Sequence, residues 1–598
     1  MKNTKVDVSF TDTDTIQLRF ELGSILDATP TSVLPSKAPN SKGWVNVDGE
    51  WIGRVSTAPD GTQTFMPQDQ FLRSQIDGLF QESGANGSQG AAVDQVGDWV
   101  VRVNGEEVDV VNVSRKGSIL DTAVVGWAEY EFSTVENVFL DLDRELTRRD
   151  EITIEFRDSD FEVQTQKFRP AHVVSEAVHV NLTGYDPDDA HKVAYLSTWK
   201  GWDHTNGTDL DEKYNEDGYG AGTKFRVLDA KTRDLVLRGE TELVQSADEA
   251  TKGKVNFERA DVWKMDLSAL DQEGEYFIVV RGVGRSETFE VSNDHWGEVF
   301  DVSFSGFYHQ RSGIALEQEF TDWTRPRSLH PEDGFEVLET TLKITDTSEG
   351  ISGKLPSPFK LLPGAVTGEV LEDAWGGWHD AGDWDRRPQS LESSRKLIEL
   401  VQLQPEFAEA RDGSIPETGN GLPDLLNESL WNLEFWQRMQ TEEGGVRGGI
   451  ESGGSPNYGD GSWSETQKVY AYAPDVWTTW EYAATAAKMA NVLEAYDTAA
   501  AADWQASAIK AMNWAENNIS GSLEPDEVNA RNLAAVELYD LTGAQKWHNI
   551  FLQTTSYDDP SANVKWFEHQ YESTFVYAQT DQQTDLDVKR FAKSEFRD

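Results

Sequence analysis

The sequence predicts a multidomain β + α chain, with two β-rich units followed by a helical unit. Three observations carry this. Apolar and polar residues alternate with period two over much of the chain up to about residue 293. From about residue 295 the apolar positions shift to i, i+3, i+4 spacing. The length of 598 residues leaves room for roughly three to five domains and large cores.

Composition narrows the partners. Twenty-one tryptophans, 11% aromatics and 38% hydrophobic residues argue for folded domains despite a mean hydropathy of -0.57. Against 53 Lys and Arg stand 105 Asp and Glu, a net charge of -52, which excludes nucleic acid and membrane lipid as natural partners. We read an acidic excess spread along the whole chain as adaptation to a saline habitat. There is no cysteine, so disulfides and thiolate metal sites are excluded. The start, Met1-Lys2-Asn3-Thr4-Lys5-Val6-Asp7, has no apolar signal-peptide core, and no stretch reaches about 18 uninterrupted apolar residues. The expectation is a secreted or cell-surface protein whose sequence shows no signal peptide.

Residues 1–172 read as a first β-sandwich, immunoglobulin-like or carbohydrate-binding-like. Val6-Asp7-Val8-Ser9-Phe10, Ile16-Gln17-Leu18-Arg19-Phe20 and Ile152-Thr153-Ile154-Glu155-Phe156 alternate cleanly. Asn104-Gly105, between Trp99–Val103 and Val108-Asp109-Val110-Val111, is a strong hairpin signal. Ser83 to Gly90 is rich in Gly, Ser and Asn and reads as a mobile loop. Residues 173–293 form a second β unit, from Val178-His179-Val180-Asn181 to the apolar strand Tyr276–Val280. Leu267, Leu270, Gly274 and Tyr276 have the spacing of a tyrosine corner, a phenol bonding back to nearby backbone. The insert from Thr205 to Gly222 carries five acids and reads as a solvated loop.

Residues 294–598 are helical. Leu422, Leu425, Leu426, Leu430, Leu433, Trp436 and Met439 mark one buried stripe, and Trp480, Ala483, Ala484 and Ala487 another. Further helices are predicted over about 501–518, 527–541 and 544–554. Long Gly-, Pro- and Trp-bearing loops, 321–388 and 441–474, separate them and are placed to carry the chemistry.

The first of these loops holds Trp375 and Gly376-Gly377-Trp378-His379-Asp380-Ala381-Gly382-Asp383-Trp384-Asp385. Carboxylates can hold and deprotonate a water, and indole faces bind the apolar faces of sugar rings. Asp380 and Asp383, three apart around Gly382, can aim two acids at one water. The blander reading is an acidic turn with packing tryptophans. Trp375, Trp378, Trp384, Trp463 and Trp477 are candidates for stacking on sugar, several of them packing residues instead. His379 has no second histidine at ligand spacing, so it reads as a hydrogen bonder rather than a metal ligand. For Arg386 and Arg387 we prefer neutralisation of the neighbouring aspartates.

From these residues outward the chain resembles glycoside hydrolase family 9, inverting cellulases that often carry an immunoglobulin-like domain before an (α/α)6 barrel. His179-Val180-Asn181-Leu182-Thr183-Gly184-Tyr185 looks like the opening strand of that domain, and Gly377–Asp383 like the family's DAGD signature. Ile415–Glu428 is similar to the helix that follows, and Gly444-Gly445-Val446 and Pro474–Thr478 to later segments. The resemblance covers about residues 175–598. It implies a glycosidase acting on β-linked polysaccharide, β-1,4-glucan above all, with Asp383 as general base and Asp380 assisting. His379, Trp378, Trp384 and Trp375 form the expected substrate-binding set.

Two departures accompany it. An inverting mechanism needs a general acid across the sugar, about 6.5–9.5 Å from the base. In the family this is a glutamate in an Asn-Glu context near the barrel's C-terminus. Asn427-Glu428 lies in the early helix instead, and no such pair stands near the C-terminal end. Eight or nine helical segments are predicted where six hairpins need about twelve. The expectation is an incomplete (α/α)6-type barrel, to be completed by another chain segment. The alternative is a non-catalytic carbohydrate-binding or surface-structural protein on the same scaffold. The second departure concerns metal: related proteins often hold zinc through cysteine and histidine, whereas Arg311-Ser312-Gly313 and Ser328-Leu329-His330 offer no thiolate. No cofactor is required, no metal ligand is assigned and zinc is not expected. Calcium is compatible with the many oxygen ligands, without marked positions.

Overall fold

A computed structural model describes residues 6–57, 61–82, 90–126, 129–157, 159–203, 208–209, 219–247, 260–351, 355–380, 385–457, 460–557 and 570–595. The chain divides into two compact bodies. One comprises residues 1–30, 37–53 and 66–299, the other 31–36, 54–65 and 300–598.

The first body contains two β-sandwiches. In the N-terminal one, Val6–Phe10, Thr15–Leu22, Glu129–Leu142 and Val110–Gly126 lie side by side in that order, facing a sheet ordered Gln164–Lys167, Glu151–Phe156, Trp99–Val103, Glu106–Val108. The alternation predicted from sequence places Phe10, Leu18, Phe20, Val101, Ile152 and Ile154 between the layers. Asn104 and Gly105 both take positive φ, 54° and 87°, in the tight turn their pairing signals. The strand after that turn is shorter than expected: Glu106–Val108 completes the hairpin, and from Val110 the chain crosses to the other sheet. The Ser83–Gly90 loop lies outside the described residues except for Gly90.

The second sandwich pairs a sheet ordered Val178–His179, Val193–Leu196, Val262–Asp266, Glu242–Gln245 with one built on Lys224–Asp229 and Gly274–Val280. Tyr276 donates its hydroxyl to the Gln272 carbonyl at 3.0 Å above buried Leu267 and Leu270, the geometry of a tyrosine corner. Within the acidic insert Thr208–Asp209 forms a short strand, pairing with the preceding Trp202–Asp203, which extends the first sandwich's sheet beside Arg115. The remainder of the insert, apart from 219–222, lies outside the described residues. Buried Lys200 fixes this junction, donating to Thr15 Oγ1 at 2.8 Å and Asp141 Oδ1 at 3.0 Å.

The second body is helical. Among the described residues it has α1 (His295–Gln310), α2 (Ser390–Leu403), α3 (Asp424–Arg438), α4 (Val476–Leu493), α5 (Thr498–Asn517), α6 (Pro525–Thr542), α7 (Gln545–Thr554), α8 (Tyr571–Gln579) and α9 (Leu586–Glu595), with two shorter turns. Several ends have a local cause. Asp475 caps α4 by accepting from the Thr478 amide at 2.9 Å, Pro525 occupies the first position of α6, and Gly543 closes it with φ 63°. The alanines of α4 let α5 and α6 pack close on both sides, leaving the helix almost wholly buried. None of the described helices is long and apolar enough to cross a membrane.

The two long loops are more ordered than sequence suggested. They contribute Val366–Val370, Val337–Lys343, Val469–Ala473 and Ile450–Ser452 to one four-stranded sheet, in that order, with a parallel pair at its centre. This sheet and the ends of α1 and α3 position the site.

Candidate active site

Glycines 376 and 377 let the acid-and-indole run lie directly on α3. Both have positive φ, 91° and 72°, and a Cβ at Gly377 would come within 3.0 Å of the Phe435 ring. The run is then tied down at successive residues. Arg438 donates to the Trp375 carbonyl at 2.8 Å, and the Gly377 carbonyl accepts from Ser312 N at 2.8 Å and Trp431 Nε1 at 3.1 Å. The His379 amide reaches the Gln310 carbonyl at 2.8 Å. Trp378 donates its indole N–H to Glu428 at 2.7 Å, and Glu428 is gripped by Arg311 at 2.8–3.1 Å. Arg311 also forks onto Glu417, with both bonds at 3.0 Å.

Asp380 stands where this pinned segment ends. Its amide donates to the Asp385 carbonyl at 2.6 Å, in an antiparallel bridge between the two residues. Its side chain is 44% exposed and lies 3.4 Å from the Arg387 guanidinium. Arg387 also meets Glu349 at 2.8 Å, Asp385 at 3.3 Å and Glu451 at 2.8 Å. Glu451 is closed in and accepts the Tyr472 hydroxyl at 2.8 Å, while Asp385 accepts the Ser452 amide at 2.7 Å.

Asp385 and Glu451, both closed in beside one guanidinium, cannot both be charged comfortably. Burial, and then the charge of Glu451, push Asp385 up to about 9. Asp385 therefore enters neutral solution as a carboxylic acid. The folded chain keeps a proton that the unfolded chain releases above the ordinary carboxylate range. Rising pH then favours unfolding until about 9. Asn at this position has no proton to lose and can still accept from Ser452 and donate to Glu451. The Asp385→Asn chain is expected to melt at or below the parent's temperature near pH 5 and to gain steadily on it toward pH 9. Parallel melting curves across that range would refute the buried acid.

The predicted site residues separate into groups. Asp380 is at the rim, available to a ligand. Asp383 and Trp384 lie outside the described residues. Trp378 corrects an expectation: it is 4% exposed, packed on Phe307 and bonded to Glu428, with no open face for a sugar ring. Trp477 is likewise buried. Trp375 is covered by the Arg438 guanidinium at 4.5 Å and the His330 ring at 4.6 Å. Trp463 is 39% exposed. His379 is buried, and that burial, with the charges of Arg386 and Arg325, holds its pKa well below the ordinary histidine value. It is a neutral hydrogen-bonding group. His330 caps a short turn, its Nδ1 accepting from Glu332 N at 3.2 Å.

Arg387 takes the neutralising part that its neighbours suggested. Sequence gives no sign of Glu349, Glu451 or Tyr472: strand pairing brings in Glu451 and Tyr472, and Glu349 comes from a turn after Val337–Lys343. Among the described residues no group of three or more histidine and carboxylate side chains is arranged to hold a metal ion.

Residues 296–595, half of the chain, match the model of glycosyl hydrolase family 9, and residues 174–285 match that of the cellulase N-terminal ig-like domain. A cellulose 1,4-beta-cellobiosidase of Acetivibrio thermocellus is 26% identical over 59% of this chain and 43% of its own length. A xyloglucan-specific endo-beta-1,4-glucanase of Bacteroides ovatus is 24% identical over 46% of this chain and 38% of its own. The chain thus spans less than half the length of these two relatives. A solved GH9 structure from Bacteroides ovatus shares the fold, with a TM-score of 0.53 and 22% identity, over 71% of this chain and 72% of the other.

Proposed function

Because the chain belongs to glycosyl hydrolase family 9, we propose that it cleaves β-linked glucan, β-1,4-glucan first, with inversion at the anomeric carbon. Asp383 takes the proton of the attacking water, and Asp380 holds that water in line. The observation that carries this reading is the setting of Asp380. It is an exposed carboxylate on a backbone fixed by hydrogen bonds at nearly every preceding residue, with a guanidinium at its side. An acid that must orient a water needs that combination of access and rigidity. Asp385, protonated and closed in, is unsuited to the role.

The relatives' names, a cellobiosidase and a xyloglucanase, put cellulose and xyloglucan on the substrate panel. Polymers of that size do not enter cells, which agrees with action outside the cell. The test offers defined cello-, mixed-linkage and xyloglucan oligosaccharides and follows new reducing ends by NMR. The expected first product is the α-anomer, which then mutarotates. A β-anomer appearing first would mean retention and remove Asp383 from its role as base. Binding without release of any product would instead favour a carbohydrate-binding scaffold.

A further inference from the structure

The helical body includes two short segments from far up the chain, residues 31–36 and 54–65, which lie outside both family-matched stretches. They join through the Thr31 and Phe65 backbones, which exchange hydrogen bonds of 2.8 and 2.9 Å. Arg54 and Ser56 are 4% and 2% exposed. Both donate to one carboxylate oxygen of Asp460, whose side chain is completely closed off from solvent, and Arg54 also reaches Ser56 Oγ at 3.1 Å. The other oxygen of Asp460 accepts from Thr466 Oγ1 at 2.6 Å and Asn457 Nδ2 at 3.4 Å. One buried carboxylate thus joins a segment near residue 55 to both arms of the loop between Ile450–Ser452 and Val469–Ala473.

That loop grows directly out of the candidate active site. The strand it leaves contains Glu451 and Ser452, which hold Arg387 and Asp385. It carries Trp463 on a single turn, Ser462–Ser464, closed by the Ser464 hydroxyl at 3.1 Å from Gly461 N. The indole folds over Gly461, where a Cβ would stand 2.7 Å from the ring, yet 39% of the residue stays exposed. Next to it Glu465 is buried with Oε2 unpartnered, and burial, then the charge of Asp460, push it up to about 7. Arg54 acts against that shift, so its charge serves both acids.

We propose that Arg54 and Ser56 are positioning residues for this loop, clamping Asp460 so that Trp463 is presented as a stacking platform for a sugar ring of the substrate. The clamp stands on its own geometry; the identity of the ring rests on the glucan reading above. A buried ion pair suits the task because removing either partner strands the other charge away from water, so the loop cannot leave its position cheaply. An indole face offers a sugar ring a flat apolar surface, so losing it should weaken binding about two- to tenfold.

Two readouts on the intact chain test this. Hydrogen exchange of residues 460–467 is expected to speed up at least tenfold in Arg54→Met and in Asp460→Asn, with Arg54→Lys in between. Unchanged exchange in Arg54→Met, with the melting temperature retained, would overturn the clamp. Cellohexaose affinity, measured by calorimetry in the Asp383→Ala background so that ligand is not consumed, reads the platform. Trp463→Ala and Arg54→Met are each expected to weaken it about two- to tenfold, and the two together no more than either. Additive losses, or a loss in Arg54→Met alone, would overturn the link between clamp and indole. Absence of binding in the Trp463-intact chain would instead fail the glucan reading, while the exchange data still decide the clamp.

Discussion

Asp383→Ala is expected to lower release of reducing sugar from β-1,4-glucan by about 10²–10⁴-fold, the usual worth of a positioned general base, without shifting the melting temperature. Water is a poor nucleophile until a base takes its proton as the bond to carbon forms. The neighbouring Asp380→Ala should cost less, roughly 10–100-fold, since it removes orientation and leaves the proton acceptor in place. Azide separates the two. It needs no deprotonation, so adding it should restore turnover in Asp383→Ala and deliver an α-glycosyl azide, the product of attack from the face opposite the leaving group. It should do little for Asp380→Ala. Full activity of Asp383→Ala without azide would sink the assignment, and a β-azide would place the base on the other face of the sugar.

How much of this could be read from the chain depends on how far apart the partners are. Strands such as Thr15–Leu22 and Glu151–Phe156 show themselves because apolar residues in a core alternate with polar ones on the other face. Asn104-Gly105 fixes its hairpin locally through two positive φ angles. The stripe of α3 is equally plain. The sheet hidden in the two long loops is not, because Val337–Lys343 pairs in parallel with Val469–Ala473 across some 130 residues, and neither strand alternates cleanly. The same limit applies at the site. Asp380 stands out as an acid among glycines and indoles, but Trp378 as a sugar platform and Trp378 as a packing residue look identical in sequence. The difference is Glu428, 50 positions later, which takes the indole N–H. Glu451 and Tyr472 reach the site only by strand pairing. In sequence Glu428 reads as an acid in the wrong place for catalysis; buried beside Arg311 and accepting the Trp378 N–H, it is one of the groups that tie the motif down.

Glu428→Ala is accordingly expected to destabilise the helical body by about 3–5 kcal/mol, the usual effect of removing one partner of a buried ion pair. Arg311 and Glu428 are both completely buried, and among the described residues Arg311 would keep one carboxylate, Glu417, whose side chain is 32% exposed. The Trp378 N–H would lose its acceptor, and the missing side chain would leave a void beneath the run that ends at Asp380. Stability and activity should therefore fall together, unlike in Asp383→Ala. Replacing the pair with apolar side chains separates the charge from the space it fills. In Arg311→Met with Glu428→Leu no charge is left stranded, so most of the stability should return. Activity should not return with it, because Trp378 still lacks an acceptor and Glu417 has lost its guanidinium. The measurement is urea unfolding followed by hydrogen exchange in α3, which reports the helical body separately from the β-sandwiches. If the double variant recovers turnover as well, the pair serves stability alone, and the position of Asp380 is set by the backbone bonds from Ser312, Gln310 and Arg438.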